Sequence, residues 1–305
     1  MKCRKSCSSK NKNRISPYIC ALIYNSIIIK LSYILFIALL IGACSSKSEK
    51  DLHFFVAGGV SGSTDSTGAT LYEPFANYLT WAIKDTTLDF GVFTGNMVRH
   101  SNDSSWAKMD LALKNLPFDI HRVPGFRDLG EASYYTKKFG NPEHHFVKSN
   151  NFFQIWEVTG NGWNVSDKQL KDLKSMVAQK GYDNVFLFVH PVTWYDQDRT
   201  PQIIPNNIDG RGETSTFYSN TLQQLNALNI PVYLFSGGVG EKAVGSEITI
   251  HKFNNVHLIS SGMGGGKWDN ILQVFVKEGK THIEIDYMKK QKNIGIDTLY
   301  VPVWI

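Results

Sequence analysis

The sequence predicts an α/β fold in which two packed, mixed β-sheets are flanked by helices. From His53 to Phe235, strand-like and helix-like segments alternate, which is typical of α/β domains. The segments after Phe235 are mostly strand-like and indicate further strands in these sheets. With 305 residues, the chain is long enough to bury a full core.

Strands are predicted where apolar residues run continuously or alternate with polar ones. In chain order, the predicted strands are His53–Ala57, Leu88–Phe93, Phe118–Ile120, Phe146–Lys148, Phe152–Val158, Val185–Val189, Pro231–Phe235, Glu247–His251, His257–Ser260, Ile271–Val276, His282–Tyr287 and Leu299–Trp304.

Helices are predicted where apolar residues recur every three or four positions. Ser166 and Gln169 also have the form of a capping box, which predicts that a helix begins there. The other predicted helices are Leu71–Lys84, Ser104–Leu116, Tyr134–Phe139 and Phe217–Leu228.

The first 43 residues have the pattern of a secretory signal. They hold seven basic residues and no acidic one, and they end in an apolar run from Leu31 to Ala43. The letters IGAC, which end at Cys44, resemble the bacterial lipobox, in which the cysteine becomes the lipidated first residue. This pattern predicts a signal peptide over 1–43, a tether over 44–51 and a body over 52–305. The body would be anchored through Cys44 to a membrane of the bacterial cell envelope.

An uncleaved membrane anchor from Tyr18 to Ala43 is the alternative interpretation. Asn25 and Lys30 lie inside that span, and a charged side chain within a membrane is costly. The lipoprotein interpretation is therefore favoured.

The composition of the body excludes several function classes. Without the seven basic residues of the leader, 25 basic and 27 acidic residues remain, a net charge of −2 with no basic tract. This balance gives no reason to expect a nucleic acid partner. All four cysteines lie at or before Cys44, so the body can form neither disulfides nor a thiolate metal site.

Seven segments, each at the end of a predicted strand or next to one, resemble the calcineurin-like metallophosphoesterase family, and most closely its purple acid phosphatase branch. That family carries its chemistry in loops that read roughly GDxxG, GD, GNHD, HxP and GHxH. The corresponding segments here are FFVAGGVSG, DFGVFTGNMV, RVPGFRDLG, NVFLFVHPVTW and IPVYLFSGGVGEK. A strand with a capped helix and the segment VHLISSGMGGG also match in order. The resemblance implies a four-layer α/β/β/α sandwich and two metal ions that activate a water molecule.

The metal-ligand positions implied by this resemblance hold unsuitable residues. Phenylalanine offers no lone pair, an arginine cation repels divalent ions, and asparagine lacks the charge of a bridging carboxylate. The first aspartate is replaced by Gly59, the bridging aspartate by Asn96, the asparagine and histidine of GNHD by Phe126 and Arg127, and the two histidines of GHxH by Gly238 and Gly240.

Three residues remain as weak candidates for a metal site. Asp128 retains the family's aspartate, but in that loop it is usually structural. His190 is a ligand only if one residue is deleted from the alignment, because otherwise Val189 takes the ligand position. Asp65 lies in a Ser/Thr-rich segment, where a solvated turn is the simpler interpretation.

The expected function is that of an inactive phosphatase relative, a cell-envelope lipoprotein that acts as a binding or scaffold module without a cofactor. Arg127 is expected near Asn96 in the old cleft, where it could attract a phosphate or carboxylate. Aromatic loop residues (Trp163, Trp194 and Tyr195) are a second expected surface for a ligand or protein partner. The alternative is a phosphoesterase with an atypical or single-metal site that uses iron, manganese or zinc.

Overall fold

Two mixed β-sheets, one of five strands and one of six, form the centre of the computed structural model. The structure describes residues 51–62, 70–130, 132–241 and 248–288. The predicted leader, Cys44, Asp65 and the predicted strand Leu299–Trp304 lie outside these residues. No helix in the described ranges combines the length and apolar character needed to cross a membrane.

The first sheet has the order β11-β10-β1-β2-β3. Strands β1, β2 and β3 run parallel, whereas β10 and β11 are antiparallel to their neighbours. The bounds of these strands are β1 Leu52–Ala57, β2 Phe90–Phe93, β3 Asp119–Arg122, β10 Asn270–Lys277 and β11 Lys280–Tyr287.

The second sheet has the order β4-β5-β6-β7-β9-β8. Its four central strands run parallel, and the two edge strands are antiparallel to them. The bounds are β4 His144–Lys148, β5 Asn151–Ile155, β6 Asn184–Val189, β7 Val232–Ser236, β8 Ile248–Phe253 and β9 Val256–Ser261.

Helices cover the outer faces of both sheets. On the first sheet they pack against the face that carries Phe55, and on the second against the face that carries Phe152. The α-helices are α1 Glu73–Ala82, α2 Asp103–Leu113, α3 Phe126–Leu129, α4 Ala132–Phe139, α5 Asp167–Ala178 and α6 Leu222–Asn226.

An aromatic core lies between the two sheets. Phe54 of β1 stacks on Phe90 of β2 with ring centroids 4.8 Å apart, and it meets Phe153 and Phe186 of the other sheet edge-on. Because alternate residues of a strand point to opposite faces, Phe55 instead packs towards the helices. This arrangement confirms the predicted α/β fold of two mixed sheets flanked by helices.

The structure corrects the type or bounds of several predicted elements; strand β5, for example, ends at Ile155 and not at the predicted Val158. The predicted helix Phe217–Leu228 consists of a π-helical turn, Phe217–Thr221, followed by α6. Strand β4 begins at His144, two residues before the predicted start. The loop after β3 contains the short helix α3, which was not among the predicted helices.

Candidate functional site

The loops after β1, β2, β7 and β9 contact each other through their backbones. The Gly59 N–H donates to the Gly95 carbonyl, and the Met263 N–H donates to the Gly58 carbonyl over 3.1 Å. These loops follow the carboxyl ends of parallel strands, where α/β proteins usually bind their ligands. This cleft is therefore the place to test for a metal centre.

Three of the expected ligand positions are glycines that have no room for a side chain. A Cβ atom on Gly59 would overlap the Met263 carbonyl oxygen. A Cβ on Gly238 would lie 2.8 Å from the His190 oxygen, and one on Gly240 would lie 2.7 Å from the Gly262 carbonyl carbon. Gly59 and Gly240 also have φ angles of +68° and +94°, which disfavour any residue with a Cβ. Backbone atoms thus occupy the space that ligand side chains would need.

Asn96, at the expected bridging position, is buried within a network of polar contacts. Its side-chain amide donates to Glu241 over 2.9 Å. Its side-chain oxygen accepts from the Arg127 backbone N–H over 3.1 Å. The side-chain nitrogen and oxygen of Asn96 therefore both have hydrogen-bond partners within the protein.

Arg127 has an internal partner for its charge. Its guanidinium forms an ion pair with Glu241, and the two side chains are 16% and 14% exposed. The same guanidinium nitrogen donates to the Gly62 carbonyl over 3.3 Å. The structure thus brings Arg127 and Asn96 together as predicted, but it adds a carboxylate that neutralises the cation.

The sequence analysis missed Glu241. A signal was present, because Glu241 lies in the segment that corresponds to the family's GHxH loop and directly follows Gly240. Its backbone N–H donates to the Asn206 side chain over 2.7 Å.

Asp128 organises the loop between β3 and α4. It is fully buried, and its carboxylate accepts the backbone N–H groups of Met97, Val98 and Gly125 over 2.7, 2.8 and 2.8 Å. Burial raises the pKa of Asp128 to about 6, although the three N–H donors oppose that shift. These contacts tie the loop after β2 to the loop after β3, which is a structural role.

His190 is a buried imidazole held in one orientation. Its Nδ1–H donates to the Thr94 carbonyl over 2.8 Å, and only 1% of the residue is exposed. Burial lowers the pKa of His190 to about 4, and nearby Arg127 contributes in the same direction. The edge of the Phe126 ring lies against the imidazole, with centroids 5.4 Å apart.

The residues present do not fit a two-metal centre. Within the described ranges, no group of three or more His, Cys, Asp or Glu side chains is arranged to hold a metal ion. A bimetallic site needs several such ligands to converge from different loops. Here the loops converge, but their ligand positions hold glycine backbone or residues already paired.

The prediction that Trp163 and Trp194 form part of an exposed aromatic surface is wrong. Trp163 and Trp194 are 3% and 0% exposed, and Trp194 belongs to the hydrophobic core on the helix-covered face of the second sheet. Tyr195 alone is partly exposed, and the Arg211 guanidinium lies 5.2 Å from the centre of its ring. Hydrophobic burial, rather than ligand contact, accounts for the two indole rings.

Comparisons with known proteins assign no family. No family model matches the sequence, and no curated protein matches it. A solved structure with a similar chain trace is a Thermotoga maritima protein determined by solution NMR, which is 9% identical, with a TM-score of 0.35. The match covers 77% of this chain and 99% of that one. A similarity of this size assigns neither a family nor an activity.

Proposed function

We propose that the protein is a lipid-anchored component of the bacterial cell envelope that acts as a binding or scaffold module without catalysis. Its body derives from a calcineurin-like metallophosphoesterase whose metal centre has been lost. The observation that carries this proposal is the close packing of backbone against Gly59, Gly238 and Gly240, because a ligand side chain at these positions would need the loops to separate.

The pairing of polar groups in the cleft supports the same proposal. Asn96 and Arg127 both contact Glu241, so the only carboxylate of this trio is already used by internal donors. A metal ion would have to displace the arginine from a largely buried ion pair, which is costly. A single-metal phosphoesterase would have to use His190 as a metal ligand. Further ligands would then have to move towards His190.

The test is an assay of the full-length protein, kept in neutral detergent, on aryl phosphate monoesters and diesters. Manganese, iron and zinc are each supplied, from acid to alkaline pH. We expect no turnover above that of the metal salts alone. The variants Asn96→Asp and His190→Gln serve as matched controls. Turnover that chelators abolish and that His190→Gln removes would instead establish a metal site at His190.

Anchoring is tested separately through Cys44. The motivating pattern is IGAC after the apolar run. Cells fed a labelled fatty acid should label the wild-type protein and leave Cys44→Ala unlabelled and unprocessed. Equal labelling and equal mass of the two proteins would contradict a lipid anchor at this residue.

A further inference from the structure

A second arginine of the same segment differs from Arg127 in having no ion pair within the described residues. Arg122 ends the edge strand β3, and it lines a groove of about 210 Å³ that also borders α4 and the segment before β4. Its guanidinium lies over the Phe139 ring, 5.0 Å from the ring centre. Ile120, two residues earlier on the strand, lines the same groove.

Arg122 has no carboxylate partner within the described residues. Its side chain makes no ion pair there, and its Nε–H is shielded from solvent without an acceptor. A buried donor left without an acceptor is unfavourable, and more so when the group is charged. The other cation on the Phe139 ring, Lys138, pairs with Asp110 over 3.0 Å.

The groove combines positive charge with apolar walls. None of the residues that line it is acidic, and two of them are histidines, His121 and His144. The pKa of His121 is lowered to about 4, first by burial and then by neighbours that include His144 and Arg122. Phe139, Ile120 and Pro142 supply apolar surface beside the guanidinium.

We propose that this groove binds a small organic anion. Its carboxylate or phosphate group accepts hydrogen bonds from the Arg122 guanidinium, whose fork of donors matches both groups. Its apolar body lies between Phe139, Ile120 and Pro142. The volume suits a single small ring better than a nucleotide or a polymer. The inference rests on the proposed function as a binding module, because this groove would bind that module's ligand. It does not depend on whether a metal ion binds at His190.

The experiment uses the full-length protein in neutral detergent with benzoate, phenyl phosphate, inorganic phosphate and benzyl alcohol as probes. Binding is followed by calorimetry, and the Arg122 Nε–H resonance is followed by NMR. We expect saturable binding of benzoate or phenyl phosphate with a Kd of about 1 mM or tighter. Inorganic phosphate and benzyl alcohol should bind at least about tenfold more weakly, because each lacks one of the two contacts. Whichever aromatic anion binds more tightly identifies the head group.

Two variants test whether the Arg122 guanidinium binds the anion. Arg122→Gln should weaken binding of the aromatic anion at least about tenfold, whereas Lys138→Gln should change it less than about twofold. Circular dichroism and the melting temperature verify that both variants fold. Equal binding by wild type and Arg122→Gln would overturn the proposal. So would the absence of saturable binding by folded wild type to all four probes.

Discussion

The central cleft and the groove beside the edge strand β3 (the edge groove) each contain an arginine, and the two arginines differ in their surroundings. In the cleft, Arg127 is enclosed, paired with Glu241 and surrounded by loops whose glycines allow the backbones to touch. At the edge, Arg122 borders open space and has no carboxylate partner in the described part of the chain. The difference shows that two arginines of one short segment can have different surroundings, one in an ion pair and one beside an open groove.

The largest expected effect concerns the closed packing of the cleft. Gly240→Ala should lower the free energy of unfolding by about 3 kcal/mol or more, because positive φ adds strain and the new methyl group meets the Gly262 backbone. Gly140 is the matched control, since its φ is +81° but a Cβ there would have nothing within 4 Å. Gly140→Ala should cost only about 1 kcal/mol. Urea unfolding measures both, and equal losses would mean that the cleft is not tightly packed.

The next effect concerns the Arg127–Glu241 pair. Arg127→Gln should lower the free energy of unfolding by about 2–3 kcal/mol, because it leaves a largely buried carboxylate without its cation. The double variant with Glu241→Gln should recover at least about 1 kcal/mol of that loss. A double-mutant cycle by urea unfolding gives the coupling. Strict additivity of the two single changes would show that the side chains do not interact.

The buried imidazole predicts a pH effect. Because burial lowers the pKa of His190 from 6.5 to about 4, the unfolded state binds more protons between these values. Stability from this group is therefore complete above pH 6.5 and is lost as the pH falls towards 4. From pH 7 to pH 5, wild type should lose about 2 kcal/mol more than His190→Gln. Parallel pH profiles of unfolding for the two proteins would place His190 in solvent.

The smallest expected effect is at the edge groove. Arg122→Gln should change the free energy of unfolding by less than about 1 kcal/mol, because the arginine has no ion pair to lose. Comparison with Arg127→Gln in the same urea series isolates the contribution of the Arg127–Glu241 ion pair to the free energy of unfolding. A loss at Arg122 as large as that at Arg127 would show that its guanidinium has an internal partner and is unavailable to a ligand.

Local patterns predicted most of the fold. Apolar runs located strands such as Val185–Val189 to within a residue, and the Ser166–Gln169 pattern correctly marked the start of α5. The π-helical turn was not predictable, because its side-chain spacing resembles that of an α-helix. The predicted strand Phe118–Ile120 stopped short of Arg122, which β3 includes, so the groove beside Ile120 and Arg122 was not predicted.

The site was less predictable because its contacts join distant parts of the chain. That Gly59, Gly238 and Gly240 replace metal ligands stays a prediction from the resemblance, whereas the fold shows that backbone atoms fill the space beside each glycine. The contact between Asn96 and Glu241 spans 145 residues of sequence. Such a pairing cannot be read from local spacing.

Metal content is the measurement that tests the proposed loss of a metal centre most directly. The full-length protein is purified from cells grown with added manganese, iron and zinc, dialysed without chelator and analysed by elemental mass spectrometry. The closed glycine loops and the Arg127–Glu241 pair predict far less than one ion per chain, with no change in His190→Gln. One or two tightly bound ions per chain, lost in His190→Gln, would contradict the account.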